Sequence, residues 1–100
     1  MTDASVSMAE PGTLCLSGVL DYRSGPALRK QGKALIAASE GPRLVLDCSR
    51  VSKSSSVGLS LLLAFIRDGQ GGGKVCEVRG MPAGMQEIAQ VYDLDAVLAG

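Results

Sequence analysis

Histidine is absent from this sequence, only three residues are aromatic (Tyr22, Phe65 and Tyr92), and ten basic side chains are cancelled by ten acidic ones. The missing histidine removes the commonest general base and the imidazole ligand of many zinc sites. Charge balance and the scarcity of rings argue against nucleic acid as a partner, because a phosphate-tracking protein needs a positive stripe and a single-strand binder needs stacking platforms. Long apolar runs are lacking too. The longest uninterrupted one, Leu61 to Ile66, is far short of the roughly 20 residues that cross a bilayer, so no direct membrane insertion is expected. Asp3 and Glu10 punctuate the opening segment and the first basic residue is Arg23. A charged region followed by an apolar signal core is therefore not seen, and the expected place is the cytoplasm.

Cysteine is sparse and odd in number: Cys15, Cys48 and Cys76, with no Cys-x-x-Cys pair. Each lies in or beside a predicted strand, where a reduced thiol packs as a small apolar group. No pair of carboxylates and no cysteine-centred nucleophile arrangement stands out. The serines at 54–56 have Lys53 as their only nearby candidate base and lack a Gly-x-Ser-x-Gly elbow, so capping and partner contact are better uses for them than catalysis. The expectation is a protein that is not an enzyme and holds neither metal nor cofactor. The run Gly71-Gly72-Gly73-Lys74 superficially suggests a phosphate loop. Asp68 stands where the first glycine is needed, Val75 replaces the Ser/Thr, and the order is helix to strand rather than strand to helix.

What the chain does contain is 46% apolar residues in 100 positions, enough for one compact domain over residues 1–100. Its organising stretch runs from Leu44 to Asp68. Leu44–Val51, opening on the apolar run Leu44–Leu46 followed by Asp47, predicts an interior strand whose carboxyl end meets solvent, then a serine-rich turn over 52–58, then a strongly apolar helix over Leu59–Asp68. One of Ser54, Ser55 and Ser56 should cap that helix by accepting a bond from a first-turn N–H. At about 100° per residue, Leu59, Leu62, Leu63 and Ile66 share a core-facing side. Val57, Leu61 and Phe65 fall on roughly the opposite side, so the helix carries more apolar surface than one sheet covers. A neighbouring helix or a protein partner must take the surplus.

The remaining elements follow from local signals. Residues 1–12 end in Glu10-Pro11-Gly12 and are expected to be flexible or a short edge strand around Ser5–Met8. Thr13–Leu20 reads as a strand. Ser24 or Gly25 can cap a helix with Pro26 in its first turn, in which Leu28, Leu35 and Ile36 recur at helical spacing up to about Ser39. Its polar side carries Arg29, Lys30 and Lys33, a solvated face or a contact for an acidic partner. Lys74–Val78 is the last strand, and a third helix opens after Gly80-Met81-Pro82 with Met85, Ile88, Ala89 and Tyr92 facing the core. A final short turn closes on Val97-Leu98. Alternation of strand and helix predicts a small, partly parallel sheet covered by helices.

From Leu14 to Leu98 the chain resembles the STAS domain, in Leu16-Ser17-Gly18-Val19-Leu20-Asp21-Tyr22, in the strand end Leu46-Asp47-Cys48-Ser49-Arg50-Val51, in the helix start Ser56-Val57-Gly58-Leu59-Ser60, and in the late Val91-Tyr92-Asp93-Leu94. The Ser-Arg-Val-Ser-Lys stretch and the Val-Tyr-Asp-Leu ending bring it nearest the MlaB-like group, the STAS subunits of Mla phospholipid-transport ABC complexes. The resemblance implies an α/β fold with a mixed sheet of about four strands and helices against it. It also implies binding to the ABC ATPase subunit (MlaF), in a complex with the permease MlaE and the MCE protein MlaD that maintains outer-membrane lipid asymmetry. In the family's anti-sigma-factor antagonists the turn reads Asp-Ser-(Ser/Ala)-Gly and the serine is phosphorylated by a partner kinase. Aligned on Gly58, Ser55 stands at the aspartate, Ser56 at the phospho-acceptor and Val57 at the small residue. In the MlaB-like group the hydroxyl position, here Ser56, is implied to contact the ATPase. The partner-binding set on this reading is Ser54, Ser55, Ser56 and Val57, with Arg29 and Leu61 added from helix geometry. The alternative is a phospho-regulated antagonist that binds an anti-sigma kinase.

Overall fold

The structure is a computed structural model describing residues 4–91. Its elements in chain order are β1 (Ser5–Glu10), β2 (Thr13–Leu20), α1 (Gly25–Ala38), β3 (Arg43–Ser54), α2 (Ser56–Gly71), β4 (Val75–Arg79) and α3 (Ala83–Val91). The four strands form one sheet in the order β1-β2-β3-β4, with β1 antiparallel to β2 and the pairs β2–β3 and β3–β4 parallel. The expected mixed, partly parallel sheet is therefore present. Both parallel connections step in the same direction across the sheet, and connections of one hand then place α1 and α2 on the same face. No helix among the described residues is long and apolar enough to cross a membrane.

Side-chain alternation agrees with a sheet covered on one face. Val6 and Met8 of β1 register with Leu16 and Leu14 of β2, Leu14 with Leu46 of β3, and Leu44 and Leu46 with Cys76 and Val78 of β4. Leu14, Leu16, Leu20, Leu44, Leu46 and Cys48 are fully buried in one cluster with Leu28, Leu59, Leu62, Phe65, Met85 and Ala89 from the helices. Each such leucine contributes about 1.5–3 kcal/mol over leaving it in water. The opposite face carries Val45 and Val75 among polar groups: the Ser5 and Ser17 hydroxyls lie 2.6 Å apart, and Glu77 bridges Arg43 at 3.1 Å and Arg79 at 3.0 Å.

β1 extends to Glu10, two residues beyond the expected edge strand, with its register slipping between Met8 and Glu10. Gly12, with φ of 81°, turns the chain into β2. The larger departure is β3, which does not give way to a serine-rich turn after Val51 but runs on to Ser54. The register explains why. Cys15 pairs with Asp47 and Ser17 with Arg50, then Gly18 with Val51 and Val19 with Lys53, so β3 twice carries one extra residue against β2. Each bulge reverses the inward parity. Cys48, Val51 and Ser54, three apart instead of two, therefore stay on the side facing the helices, and Cys48 and Val51 are buried.

The surplus apolar side of α2 is met largely by α1. Leu61 and Phe65, expected opposite the core face, are both buried, at 4% and 0% exposure. The close approach depends on Gly32, whose absent Cβ would collide with the Phe65 ring. Of the third helix's expected inward residues, Met85 and Ala89 are buried and Ile88 is half-buried. Tyr92 and the final turn at Val97-Leu98 lie outside the described residues. Lys74, from the false phosphate loop, is buried and donates from Nζ to the Gly41 carbonyl at 2.7 Å, joining the end of α2 to the start of β3.

Candidate functional site

β3 passes into α2 with Ser55 alone between them, so the three serines occupy three different environments. Ser54 is the last strand residue; its hydroxyl donates to the Ser55 carbonyl at 2.8 Å and fills the space where Gly58 would carry a Cβ. Ser55 is the N-cap. Its extended backbone turns the chain, its Oγ accepts from the Val57 N–H at 3.2 Å, and its own N–H donates to the Leu20 carbonyl at 3.0 Å. Ser56 opens the helix, is exposed, and its hydroxyl has no hydrogen-bond partner among the described residues. The expected cap is thus resolved to Ser55, and Ser56 is the exposed serine whose hydroxyl is left unengaged among the described residues.

Ser55 also ties this corner to the end of β2. The chain leaving β2 is held by Asp21, whose Oδ1 accepts the Arg23 and Ser24 N–H groups at 2.9 and 3.2 Å. Ser24 precedes α1 without capping it, because its hydroxyl is committed to the Val19 carbonyl at 2.8 Å. Pro26 stands in the first turn, as expected. The two helices therefore start side by side, close enough that a Cβ on Gly25 would come within 2.9 Å of Val57 Cγ1.

Between these helix starts lies an open groove of about 440 Å³ lined by Tyr22, Gly25, Pro26, Arg29, Val57, Ser60, Leu61 and Ala64. The structure brings Val57, Leu61 and Arg29 together in this groove, beside Ser56. Leu61, at 4% exposure, offers only the edge of a packed side chain. Arg29 is not a free cation on a solvated face: Nη1 and Nη2 bond the Asp68 carboxylate at 2.5 and 3.2 Å, with the guanidinium 5.9 Å from the Phe65 ring centre. Reasoning from apolar spacing alone missed Tyr22, Ser60 and Ala64. The signal was available in the helix period, since Val57, Ser60, Leu61 and Ala64 stand at i, i+3, i+4 and i+7. Small and polar residues on that stripe hide it.

Away from the groove, Asp47 holds its carboxyl below its ordinary value because the Ser49 backbone N–H, 2.9 Å away, and the Ser49 hydroxyl stabilise its charge, with Arg79 and Arg50 adding to this. Burial pushes the Cys48 thiol up to about 12, Asp47 and Cys15 adding to the shift, and burial raises Cys76 as well. Low-pKa, reactive thiols are not what these environments make. All three cysteines are free, and no group of acids and cysteines among the described residues is placed to hold a metal ion. The arrangement of exposed hydroxyl, helix start and adjoining apolar groove suits contact with another macromolecule.

The family model described as MlaB, STAS domain, matches residues 5–99. The chain belongs to the STAS domain family. Among solved structures, a chain of the Acinetobacter MlaFEDB complex in an ATP-bound conformation is 21% identical, with a TM-score of 0.80 over 95% of this chain and 97% of that one. An anti-sigma factor antagonist from Mycobacterium paratuberculosis is 27% identical, with a TM-score of 0.71 over 98% of this chain and 83% of that one. The unphosphorylated anti-sigma factor antagonist SpoIIAA is 17% identical, with a TM-score of 0.73 over 93% and 83%. No curated protein gives a significant match in sequence. The fold is thus that of both MlaFEDB-associated and antagonist STAS proteins.

Proposed function

We propose that this STAS protein is a non-catalytic regulatory and assembly subunit of an inner-membrane phospholipid-transport ABC complex of the MlaFEDB type, bound to the ATPase subunit through the start of α2. It would sit on the cytoplasmic side, peripheral to the membrane, and reach the permease and the MCE protein through that ATPase. The observation that carries this reading is the MlaB description of the family model that spans residues 5–99. The site agrees with it. Where the antagonists' turn has an aspartate before the acceptor serine, this chain has Ser55, whose hydroxyl is engaged in capping. Ser56 is left as an exposed contact rather than one member of an acid–serine pair.

The test is association with an MlaF-type ABC ATPase subunit from the same organism. Ser56→Arg is expected to abolish co-purification and lower the complex's ATPase rate, while Ser56→Thr keeps both. The purified protein alone is expected to show no saturable ATP binding by calorimetry; such binding would contradict a non-catalytic role. The second reading, a phospho-regulated antagonist of an anti-sigma kinase, is favoured by the 27% identical mycobacterial antagonist. A histidine-kinase-like ATPase captured in place of the ABC subunit would select it.

A further inference from the structure

The groove between α1 and α2 has a floor made almost entirely of carbon: Pro26, Val57, Leu61 and Ala64, with the Tyr22 ring standing 71% exposed at one end. Few polar groups converge in it, so nothing there would orient a small polar substrate. Its volume of about 440 Å³ lies within the range of occupied ligand clefts, and it is open along one side, as a groove for a chain segment is.

Three exposed cations border it. Lys30 follows Pro26 by four residues and Arg67 follows Ala64 by three, so both lie on the helix faces that border the groove. Arg23 stands at the Tyr22 end, its guanidinium 5.6 Å from that ring centre and its Nε donating to the Tyr22 hydroxyl at 3.2 Å. All three cations are exposed and none has a carboxylate partner among the described residues. The acids at this end are already engaged: Asp68 is bonded by Arg29, and Asp21 accepts the Arg23 and Ser24 N–H groups.

We infer that this groove takes a protein segment that presents bulky apolar side chains one helical turn apart, flanked by carboxylates. The apolar anchors displace water from Val57, Leu61 and Ala64, and the flanking acids meet Arg23, Lys30 and Arg67. This deepens the reading of the α2 start as a partner surface and rests on it, assigning the groove the anchoring part and Ser56 the neighbouring polar contact. It also fixes the sign of the partner: acidic around an apolar centre.

The probe is a fluorescein-labelled helical peptide with two leucines a turn apart between glutamates, and its counterpart with lysines in place of the glutamates. Fluorescence anisotropy should show binding of the acidic peptide and not of the basic one, weakening as salt rises. Ser60→Trp, at an exposed position, and Ala64→Trp each fill the groove and should abolish binding. Lys30→Glu with Arg67→Glu should weaken it by about tenfold or more. Thermal melts confirm that each variant is folded. Equal binding of both peptides, or binding that survives both tryptophans, overturns the inference. So does light scattering that shows a dimer lost in Ser60→Trp, which would make a second copy the occupant. The ATPase co-purification separates this inference from the reading it rests on. If Ser56→Arg breaks that association and Ser60→Trp leaves it intact, the groove assignment falls and the subunit reading stands. If neither variant affects the ATPase while the acidic peptide still loses binding to Ser60→Trp, the subunit reading falls and the groove assignment stands.

Discussion

A single missing methyl group sets the geometry of the β3–α2 corner. A Cβ on Gly58 would overlap Ser54 Oγ and come within 3.3 Å of Leu20 Cβ, so the helix start, the end of β3 and the end of β2 meet only because this residue is glycine. Gly58→Ala is expected to cost about 1–3 kcal/mol as an overpacked site does. Because the nearest obstacle is a hydroxyl, adding Ser54→Ala should recover part of that loss. Urea melts of the two single variants and the double variant measure the coupling, which for touching residues is about 0.5–3 kcal/mol. The fully buried Cys48 makes a second expectation. A thiol with a folded pKa of about 12 against an ordinary 9.0 contributes stability that is complete below pH 9 and is lost as pH rises toward 12. Cys48→Ala should therefore flatten the alkaline fall of the melting temperature above pH 9. In the native protein Cys48 should resist a thiol reagent that labels the half-buried Cys15.

At the scale of elements, what could be read from the sequence divides along a physical line. Strands bounded by turn residues and helices with intact period were legible: β2 at Thr13–Leu20 as expected, α1, α2 and β4 to within a few residues. The last three residues of β3 were not, because period-two reasoning has no place for two bulges, and Ser52, Lys53 and Ser54 look like turn chemistry when their pairing with β2 is unknown. The covering of Leu61 and Phe65 was half legible. Surplus apolar surface on α2 was visible, but the notch that admits α1 is Gly32, and a glycine inside a helix does not announce a packing contact. The placement of the serines and Val57 at the start of α2 was legible from motif and spacing, whereas the Arg29–Asp68 pair joins residues 39 apart in sequence and needs the helix packing to be seen. Two substitutions separate these roles. Leu62→Ala, at a fully buried position on the sheet-facing side, should cost about 2–5 kcal/mol in urea melts. Gly32→Ala should destabilise by forcing α1 away from Phe65, with a loss of about 1–3 kcal/mol that Phe65→Leu partly relieves.

At the scale of the whole molecule and its assembly, the question is whether Ser56 is a permanent contact or a phosphorylation switch, and the fold alone permits either. Ser56 is exposed at the start of a sixteen-residue helix whose first-turn N–H groups favour an anion, and no acidic residue lies in that first turn. Negative charge there should leave the isolated domain as stable as before or raise its stability by about 0.3–1 kcal/mol. On the proposed reading the cost of the charge belongs to the contact with the ATPase subunit. A phosphate of about −2, or its single-charge mimic, placed within a packed contact disrupts it unless the partner supplies cations. The groove beside Ser56 has a basic rim of its own, Arg23, Lys30 and Arg67, which matches an acidic partner rather than a cationic one. Ser56→Asp is therefore expected to melt at or slightly above the wild-type temperature and yet to lose the ATPase subunit on co-purification, a split between stability and association that a merely structural serine would not produce. In the same experiment, intact-mass measurement of the wild-type protein taken from cells should show no phosphate. Stoichiometric phosphate on Ser56, with full assembly by Ser56→Asp, would instead make the exposed hydroxyl a kinase acceptor and move the protein to the antagonist branch of its family.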